Sequence, residues 1–140
     1  MQAPFNIFSR GPMNRKLTLT VFVAAAVLAA GCASTLTSNN PATVADGVLV
    51  GTNGMTLYTF DKDAAGSGKS VCNGPCAQNW PPLVAAAHSA ASNDWVVIAR
   101  DDGSNQWAYK GKPVYVWAKD KKPGDRTGDG VNGTWRVAKP

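Results

Sequence analysis

A ten-residue segment occurs twice in this chain, and this repetition limits the folds that the chain can adopt. Residues 54–63 (GMTLYTFDKD) align without gaps on residues 111–120 (GKPVYVWAKD), 57 positions later. Each copy is followed by a polar, glycine-rich stretch, and then by an Asn-Gly pair that leads to a tryptophan, Trp80 or Trp135. Self-similarity of this kind indicates that related units form one structure. In a chain of 140 residues, the sequence therefore predicts one small duplicated domain.

A tyrosine, an aromatic residue and an aspartate hold the same places in both copies. They are Tyr58, Phe60 and Asp63 in the first copy, and Tyr115, Trp117 and Asp120 in the second. In an extended strand, residues two apart share a face, so Tyr58 and Phe60 point one way while Leu57 and Thr59 point the other way. Because both faces carry bulky side chains, we expect each copy to contain a strand that is covered on both sides. We place the aspartate in the turn after the strand, where a carboxylate can accept backbone N–H bonds.

Apolar runs and turn formers elsewhere predict a mainly β, antiparallel domain. Strands at 48–50 and 55–60 flank Asn53-Gly54, strands at 94–99 and 106–109 flank a second turn, and strands at 113–118 and 134–138 follow. One short helix is predicted near 75–80, because proline suits a first helical turn and two prolines follow Trp80. Residues 85–91 are predicted to form a loop. The 14 glycines, 9 prolines and 5 tryptophans argue against a helical bundle.

The first 31 residues have the composition of an export signal. Asn14, Arg15 and Lys16 precede an apolar run over 17–30, which is short for a membrane-spanning helix. The run ends in Ala-Ala-Gly-Cys32, which resembles a bacterial lipobox, in which Cys32 is lipidated and becomes the mature N-terminus. We predict a signal peptide over 1–31, with Met13 as a candidate true start, a lipidated N-terminus and flexible tether over 32–44, and the repeat domain over 45–140. An uncleaved anchor helix is the alternative.

The charge distribution argues against nucleic-acid binding. The net charge is +5, but Arg10, Arg15 and Lys16 lie in the first 31 residues, which contain no acidic residue, and the rest of the chain carries +2. A nearly balanced domain has no electrostatic reason to bind phosphate backbones. The expected partners are the membrane, through the N-terminal lipid, and an unidentified envelope ligand or protein.

Three segments together resemble a known family. They are the two Tyr-x-aromatic-x-x-Asp motifs, the segment 72–83 (CNGPCAQNWPPL) and the glycine-rich segment 124–135. This combination is similar to the predicted bacterial lipoproteins with a conserved Yx(FWY)xxD motif, also called the secreted repeat of unknown function. The resemblance covers about residues 45–140 and implies a repeat architecture and a lipid-anchored envelope location. Ala33 after the cysteine favours the periplasmic face of the outer membrane in a Gram-negative cell. No activity is implied.

Cys72 and Cys76 are the two thiols that remain once Cys32 is lipidated. Outside the cytoplasm paired cysteines usually oxidise, and a separation of four residues permits disulfide geometry. We therefore expect a disulfide. The alternative is a metal or redox site, because soft thiolates together with Met55 or His88 would suit Cu(I). Against copper stand the single histidine and the β-rich outline.

Carboxylates are the remaining candidates for chemistry. Asp120, Asp125 and Asp129 are spaced by glycines and offer oxygen ligands to calcium, although the spacing departs from an EF-hand loop. Asp63 and Asp120 would be the acid and base of a hydrolase. We expect no cofactor, no metal and no catalysis, and we assign a non-enzymatic structural or binding function. The tryptophans and tyrosines are expected to pack the core, with a sugar-binding surface as the alternative.

Overall fold

The architecture is mainly β, as the sequence predicted. A computed structural model describes residues 40–140, so the predicted signal peptide, Met13, Cys32 and most of the tether lie outside the described residues. The described residues form seven strands, namely β1 (Ala42–Ala45), β2 (Val48–Gly51), β3 (Tyr58–Phe60), β4 (Trp95–Ala99), β5 (Asn105–Tyr109), β6 (Lys112–Tyr115) and β7 (Trp135–Val137). They also form one helix, α1 (Pro75–Asn79), and a 3-10 turn (Val131–Gly133).

The strands form two antiparallel sheets. β1 pairs with β2, and the larger sheet has the order β4-β5-β6-β3-β7. β3 and β6, the strands of the two motif copies, are neighbours, and Tyr58 lies directly opposite Tyr115. The motif tyrosines are therefore brought together at the junction between the repeats.

The two repeats make equivalent backbone contacts on either side of the β3–β6 pair. The backbone N–H of Ala138, just after β7, donates to the carbonyl of Leu57 at 2.8 Å. In the equivalent position of the other half, the N–H of Leu83 donates to the carbonyl of Val114 at 3.0 Å. The segment after Trp80 thus flanks β6 as β7 flanks β3.

The motif strand β3 is buried on both faces, as its alternating bulky residues predicted. Leu57, just before it, belongs to a first core made of Ala42, Leu49, Leu57, Ala85, Trp95, Trp107, Val114 and Ala138. Tyr58 and Phe60 belong to a second core on the opposite face, together with Cys72, Trp80, Tyr115, Trp117 and Trp135. All five tryptophans are buried, which agrees with the expected core packing.

A stack of four aromatic rings forms the centre of the second core. Its order is Phe60, Trp135, Trp80 and Trp117, with successive ring centroids 4.4, 3.7 and 3.9 Å apart. The aromatic residue of each motif covers the tryptophan of the other repeat, and the two tryptophans stack on each other in the middle. Since the rings come from both halves, neither repeat can build this core alone.

Strand β1 was not predicted, and the predicted boundary of the tether was wrong. Residues 42–44 were placed in the tether, but they pair with β2 across a two-residue turn in which Asp46 and Gly47 have φ of 48° and 75°, as tight hairpin turns require. Three of the four β1 residues are exposed, so the strand lacks the alternation that identifies a half-buried strand.

The other predicted elements are present with shifted ends. The hairpin between 48–50 and 55–60 is reduced to one bridge between Val50 and Thr56, and β3 begins only at Tyr58. Strand β6 ends at Tyr115 instead of 118. The turn that contains Asp120 begins at Trp117, whose carbonyl accepts the backbone N–H of Asp120. The helix covers Pro75–Asn79, and no helix or strand forms over 85–91.

Replacing Trp80 by alanine is expected to lower the free energy of unfolding by about 3–5 kcal/mol, because a buried ring with aromatic neighbours on both faces leaves a large cavity. Urea titration followed by circular dichroism measures this change. Val84→Ala is the matched control, since Val84 is 65% exposed, and its effect should stay within about 0.5 kcal/mol. Equal stability of the Trp80 variant and the wild type would contradict the central position of the ring.

Candidate functional site

Two reciprocal hydrogen bonds join the motif residues of the two repeats. The Tyr58 hydroxyl donates to Oδ2 of Asp120 at 2.6 Å, and the Tyr115 hydroxyl donates to Oδ2 of Asp63 at 2.5 Å. All four side chains are buried, and Asp120, the most exposed of them, is 6% exposed. The tyrosine of each repeat therefore binds the aspartate of the other in the buried interior.

The second carboxylate oxygen of each aspartate holds the loop that follows its own motif. Oδ1 of Asp63 accepts a hydrogen bond from the backbone N–H of Val71 at 2.8 Å. Oδ1 of Asp120 accepts hydrogen bonds from the backbone N–H and the hydroxyl of Thr127, at 3.0 and 2.6 Å. Each carboxylate thus connects the loop of one repeat to the strand of the other.

Burial raises the pKa of Tyr58 and Tyr115 above the ordinary value of 10.0. The hydrogen bonds to Asp120 and Asp63 raise the two pKa values further, because the neutral phenol donates to a carboxylate. Both hydroxyls keep their protons at neutral pH and act as hydrogen-bond donors. This protonation state suits a structural role and is unsuitable for a general base.

The backbone of Gly128 lies close to the side chains of Tyr58 and Trp80. The Gly128 N–H donates to the Tyr58 hydroxyl at 3.3 Å. A Cβ atom at this position would lie 2.8 Å from the Trp80 ring and 2.9 Å from the Tyr58 ring. Glycine is required here because any side chain would push the loop away from both rings.

Arg100 holds the loop that carries the first cysteine, and sequence reasoning missed this residue. Its side chain is fully buried. The guanidinium donates to Oγ of Ser70 at 3.0 Å, to Oε1 of Gln106 at 2.7 Å and to the carbonyl oxygen of Cys72 at 2.6 Å. An arginine beside an Asp-Gly turn gives no sequence signal of burial, since such residues are usually exposed.

The arginine is connected to the motif residues through Ser70. The hydroxyl of Ser70 lies 2.7 Å from that of Tyr115, which binds Asp63. A buried charge is tolerated only when it is hydrogen-bonded or paired, and this chain of contacts leads from Arg100 to the Asp63 carboxylate. The sequence did contain a signal for Ser70. It stands 57 residues before Thr127, the same offset as the two motif copies, so the repeat alignment extends to both hydroxyl residues.

A cleft of about 660 Å³ opens beside the end of the ring stack. We call it the indole cleft, and its lining residues are Pro75, Cys76, Asn79, Trp80, Trp117, Lys119, Thr127, Val131 and Asn132. Helix α1 and Trp80 come from the first half of the chain, and the remaining residues come from the second half. Its volume lies within the range of about 300–1,000 Å³ that is usual for small-molecule sites. The indole cleft is the candidate functional site.

Cys72 and Cys76 form the expected disulfide, with their Cα atoms 5.2 Å apart. Cys72 is fully buried in the second core, whereas Cys76 is partly exposed and borders the indole cleft. The disulfide links Cys72, which precedes α1, to Cys76 within α1, and it therefore fixes the start of this helix next to Trp80. Because both sulfur atoms are bonded to each other, neither is a thiolate ligand for copper in this state.

The other proposed copper ligands lie apart from the disulfide. His88 is exposed and borders a different groove, next to Leu83 and Trp107. Met55 lies in the turn between β2 and β3, where its carbonyl accepts the N–H of Gly51. The structure does not bring them together with the cysteines.

The three aspartates considered for calcium each bind a different part of the chain. Asp120 is engaged as described above, Oδ2 of Asp125 accepts the N–H groups of Lys121 and Lys122, and Oδ1 of Asp129 accepts the N–H of Val137. Within residues 40–140, no group of three or more histidine, cysteine, aspartate or glutamate side chains is placed to hold a metal ion.

Comparison with known families identifies the repeats. The model of the family described as "secreted repeat of unknown function" matches residues 41–84 and 96–139. The matches cover more than half of the chain, and the chain belongs to this family. No curated protein and no solved structure matches the chain. The family description fits an extracellular or envelope location, and no helix among the described residues is long and apolar enough to span a membrane.

The raised pKa values of the two motif tyrosines predict a loss of stability in alkali. A group with a raised pKa in the folded state contributes stability below its unfolded pKa, and this contribution is lost as the pH rises past that value. We expect the free energy of unfolding, from urea titrations, to fall as the pH rises above about 10. In the variant Tyr58→Phe/Tyr115→Phe, this fall should be smaller. An equally steep fall in the variant and the wild type would contradict the assignment of this alkaline loss of stability to Tyr58 and Tyr115.

Thiol titration and copper analysis test the disulfide. We expect the denatured, unreduced protein to show no free thiol from Cys72 and Cys76, and the native protein to hold no copper. Reduction should lower the free energy of unfolding by only about 1–2 kcal/mol, because the loop that the bond closes is short. The variant Cys72→Ala/Cys76→Ala is the control, and reductant should not change its stability. Two titratable thiols together with bound copper would contradict the structural role.

Proposed function

We propose that the protein is a lipid-anchored module of the cell envelope that binds a ligand or partner through its surface and catalyses no reaction. This proposal rests mainly on one observation. The motif residues are buried in two hydrogen-bonded pairs that join the repeats, namely Tyr58 with Asp120 and Tyr115 with Asp63. Acid–base catalysis needs groups within hydrogen-bond reach of a substrate. These groups instead hold the scaffold, so function is left to the surface.

The indole cleft supports a binding role. Its walls are fixed by the ring stack, the disulfide and the loop that Asp120 holds, so little order has to be gained when a ligand enters. Preformed sites bind better because the entropic cost of ordering is already met. A rigid, non-catalytic cleft on a small duplicated domain is what a binding module requires.

The leader supports the lipid anchor. Small residues precede Cys32 at the end of an apolar run, and each buried lipid methylene contributes about 0.8 kcal/mol to membrane binding. The family match begins at residue 41, nine residues after Cys32. Since an extended chain spans at most about 3.6 Å per residue, the domain would stay within about 30 Å of the bilayer. Ala33 favours the periplasmic face of the outer membrane in a Gram-negative cell.

Copper binding or thiol exchange through Cys72 and Cys76 is the second candidate function. It is supported by the position of Cys76, which is partly exposed at the cleft and accessible to a reacting thiol. It would require the disulfide to be reduced in the working state. The thiol and copper analyses described above distinguish it from the binding module.

Growth of cells with labelled palmitate tests the anchor. The wild-type protein should incorporate label and sediment with membranes, and Cys32→Ala should abolish incorporation, because no thiol then remains at the lipobox. The variant Cys72→Ala/Cys76→Ala is the control and should be labelled like the wild type. An unlabelled wild-type protein, or labelling that survives in Cys32→Ala, would overturn the proposed lipid anchor.

A further inference from the structure

We propose that the indole cleft binds a saccharide that carries a carboxylate group. This inference rests on the proposed binding function, to which it adds the site and the chemical class of the ligand. Three properties of the cleft carry it. They are an apolar wall, side-chain carboxamides beside that wall, and a positive charge without a paired carboxylate.

Pro75 and Val131 form an apolar wall of the cleft, to which Trp80 and Trp117, 3% and 8% exposed, add only small parts of their rings. The two indoles stack on each other with centroids 3.9 Å apart, and Trp135 covers the far side of Trp80. Their position is therefore fixed before a ligand arrives. A rigid apolar wall suits the C–H face of a pyranose ring, which can be buried against Pro75, Val131 and the accessible part of Trp117 without loss of hydrogen bonds.

Two asparagines provide the polar groups. The Asn79 side-chain nitrogen donates to the carbonyl of Pro75 at 3.0 Å, which leaves its side-chain oxygen as an acceptor. The Asn132 carboxamide makes no hydrogen bond within residues 40–140, and its backbone has a positive φ of 53° in the 3-10 turn. A carboxamide offers both donors and acceptors, and neighbouring hydroxyl groups of a sugar require both.

The charge of the cleft comes from Lys119. Its Nζ lies 5.4 Å from the centroid of the Trp117 ring, and no carboxylate of the described chain lies within 4.0 Å of it. No acidic residue lines the cleft, and Asp120 behind it is engaged by Tyr58 and Thr127. A carboxylate on the ligand would form a charge-assisted hydrogen bond with this ammonium group. A cationic ligand would be repelled, and a neutral sugar would gain less.

The duplication supplies a matched control. Lys62 holds the place of Lys119 in the first copy of the motif, and it is exposed. It does not line the indole cleft. Replacing either lysine by methionine removes one charge and keeps a side chain of similar length, so a difference in binding between the two variants reports on the cleft itself.

Titration of the full protein, purified with detergent from the cell fraction that holds it, tests the inference. The probes are D-glucuronic acid and N-acetylmuramic acid, which share a carboxylate on a hexose but come from different envelope polymers, with D-glucose and inorganic phosphate as comparisons. We expect either acid to shift the indole N–H resonances of Trp80 and Trp117 and the side-chain amide resonances of Asn132. Its dissociation constant should be about tenfold or more below that of glucose.

Lys119→Met should weaken binding of the preferred acid about tenfold or more, whereas Lys62→Met should leave it unchanged. Asn132→Gly, which accepts the positive φ, should also weaken binding and provides a second variant should Lys119→Met misfold. The inference is overturned by the absence of saturable shifts with both acids, by equal affinity for glucose, by equal shifts with phosphate, or by unchanged binding in both cleft variants. Palmitate labelling is independent of these results, so the anchor and the ligand can fail separately.

Discussion

The reciprocal tyrosine–aspartate hydrogen bonds between the repeats are the constraint on which the rest of the structure depends. A buried carboxylate oxygen without a partner is costly, and the tyrosine of the other repeat is the partner of Oδ2 in both Asp63 and Asp120. The pairing of Tyr58 with Tyr115 across β3 and β6 brings both bonds together. Each half of the chain thereby satisfies the polar groups of the other.

The ring stack follows the same exchange between halves. Phe60 covers Trp135 and Trp117 covers Trp80, so the apolar core is shared as the hydrogen bonds are. Within residues 40–140, the disulfide and the buried Arg100 occur in only one half, whereas α1 before Trp80 corresponds to the 3-10 turn before Trp135. The indole cleft is lined by both of these equivalent elements and by Trp117 at the end of the stack.

Sequence patterns were most informative where local physics decides the structure. The alternation of Leu57, Tyr58, Thr59 and Phe60 predicted a strand with two buried faces, and the two cores confirm it. The proline at the start of α1 and the spacing of the cysteines predicted the helix and the disulfide. Strand β1 was missed because its stability comes from pairing with β2, since three of its four side chains are exposed. Arg100 was missed because its partners, Ser70 and Cys72, are about 30 residues away in the chain.

The sequence by itself determined that the domain is duplicated, mainly β and rich in buried aromatic residues, because repetition, alternation and turn chemistry are all local properties. Only the tertiary structure decided that each tyrosine binds the aspartate of the opposite repeat, and that Trp80, Trp117, Lys119 and Asn132 share one cleft. These contacts depend on the register between β3 and β6 and on the packing of the loops that follow them. Hydrogen bonds between residues more than fifty positions apart leave no mark in a short sequence window.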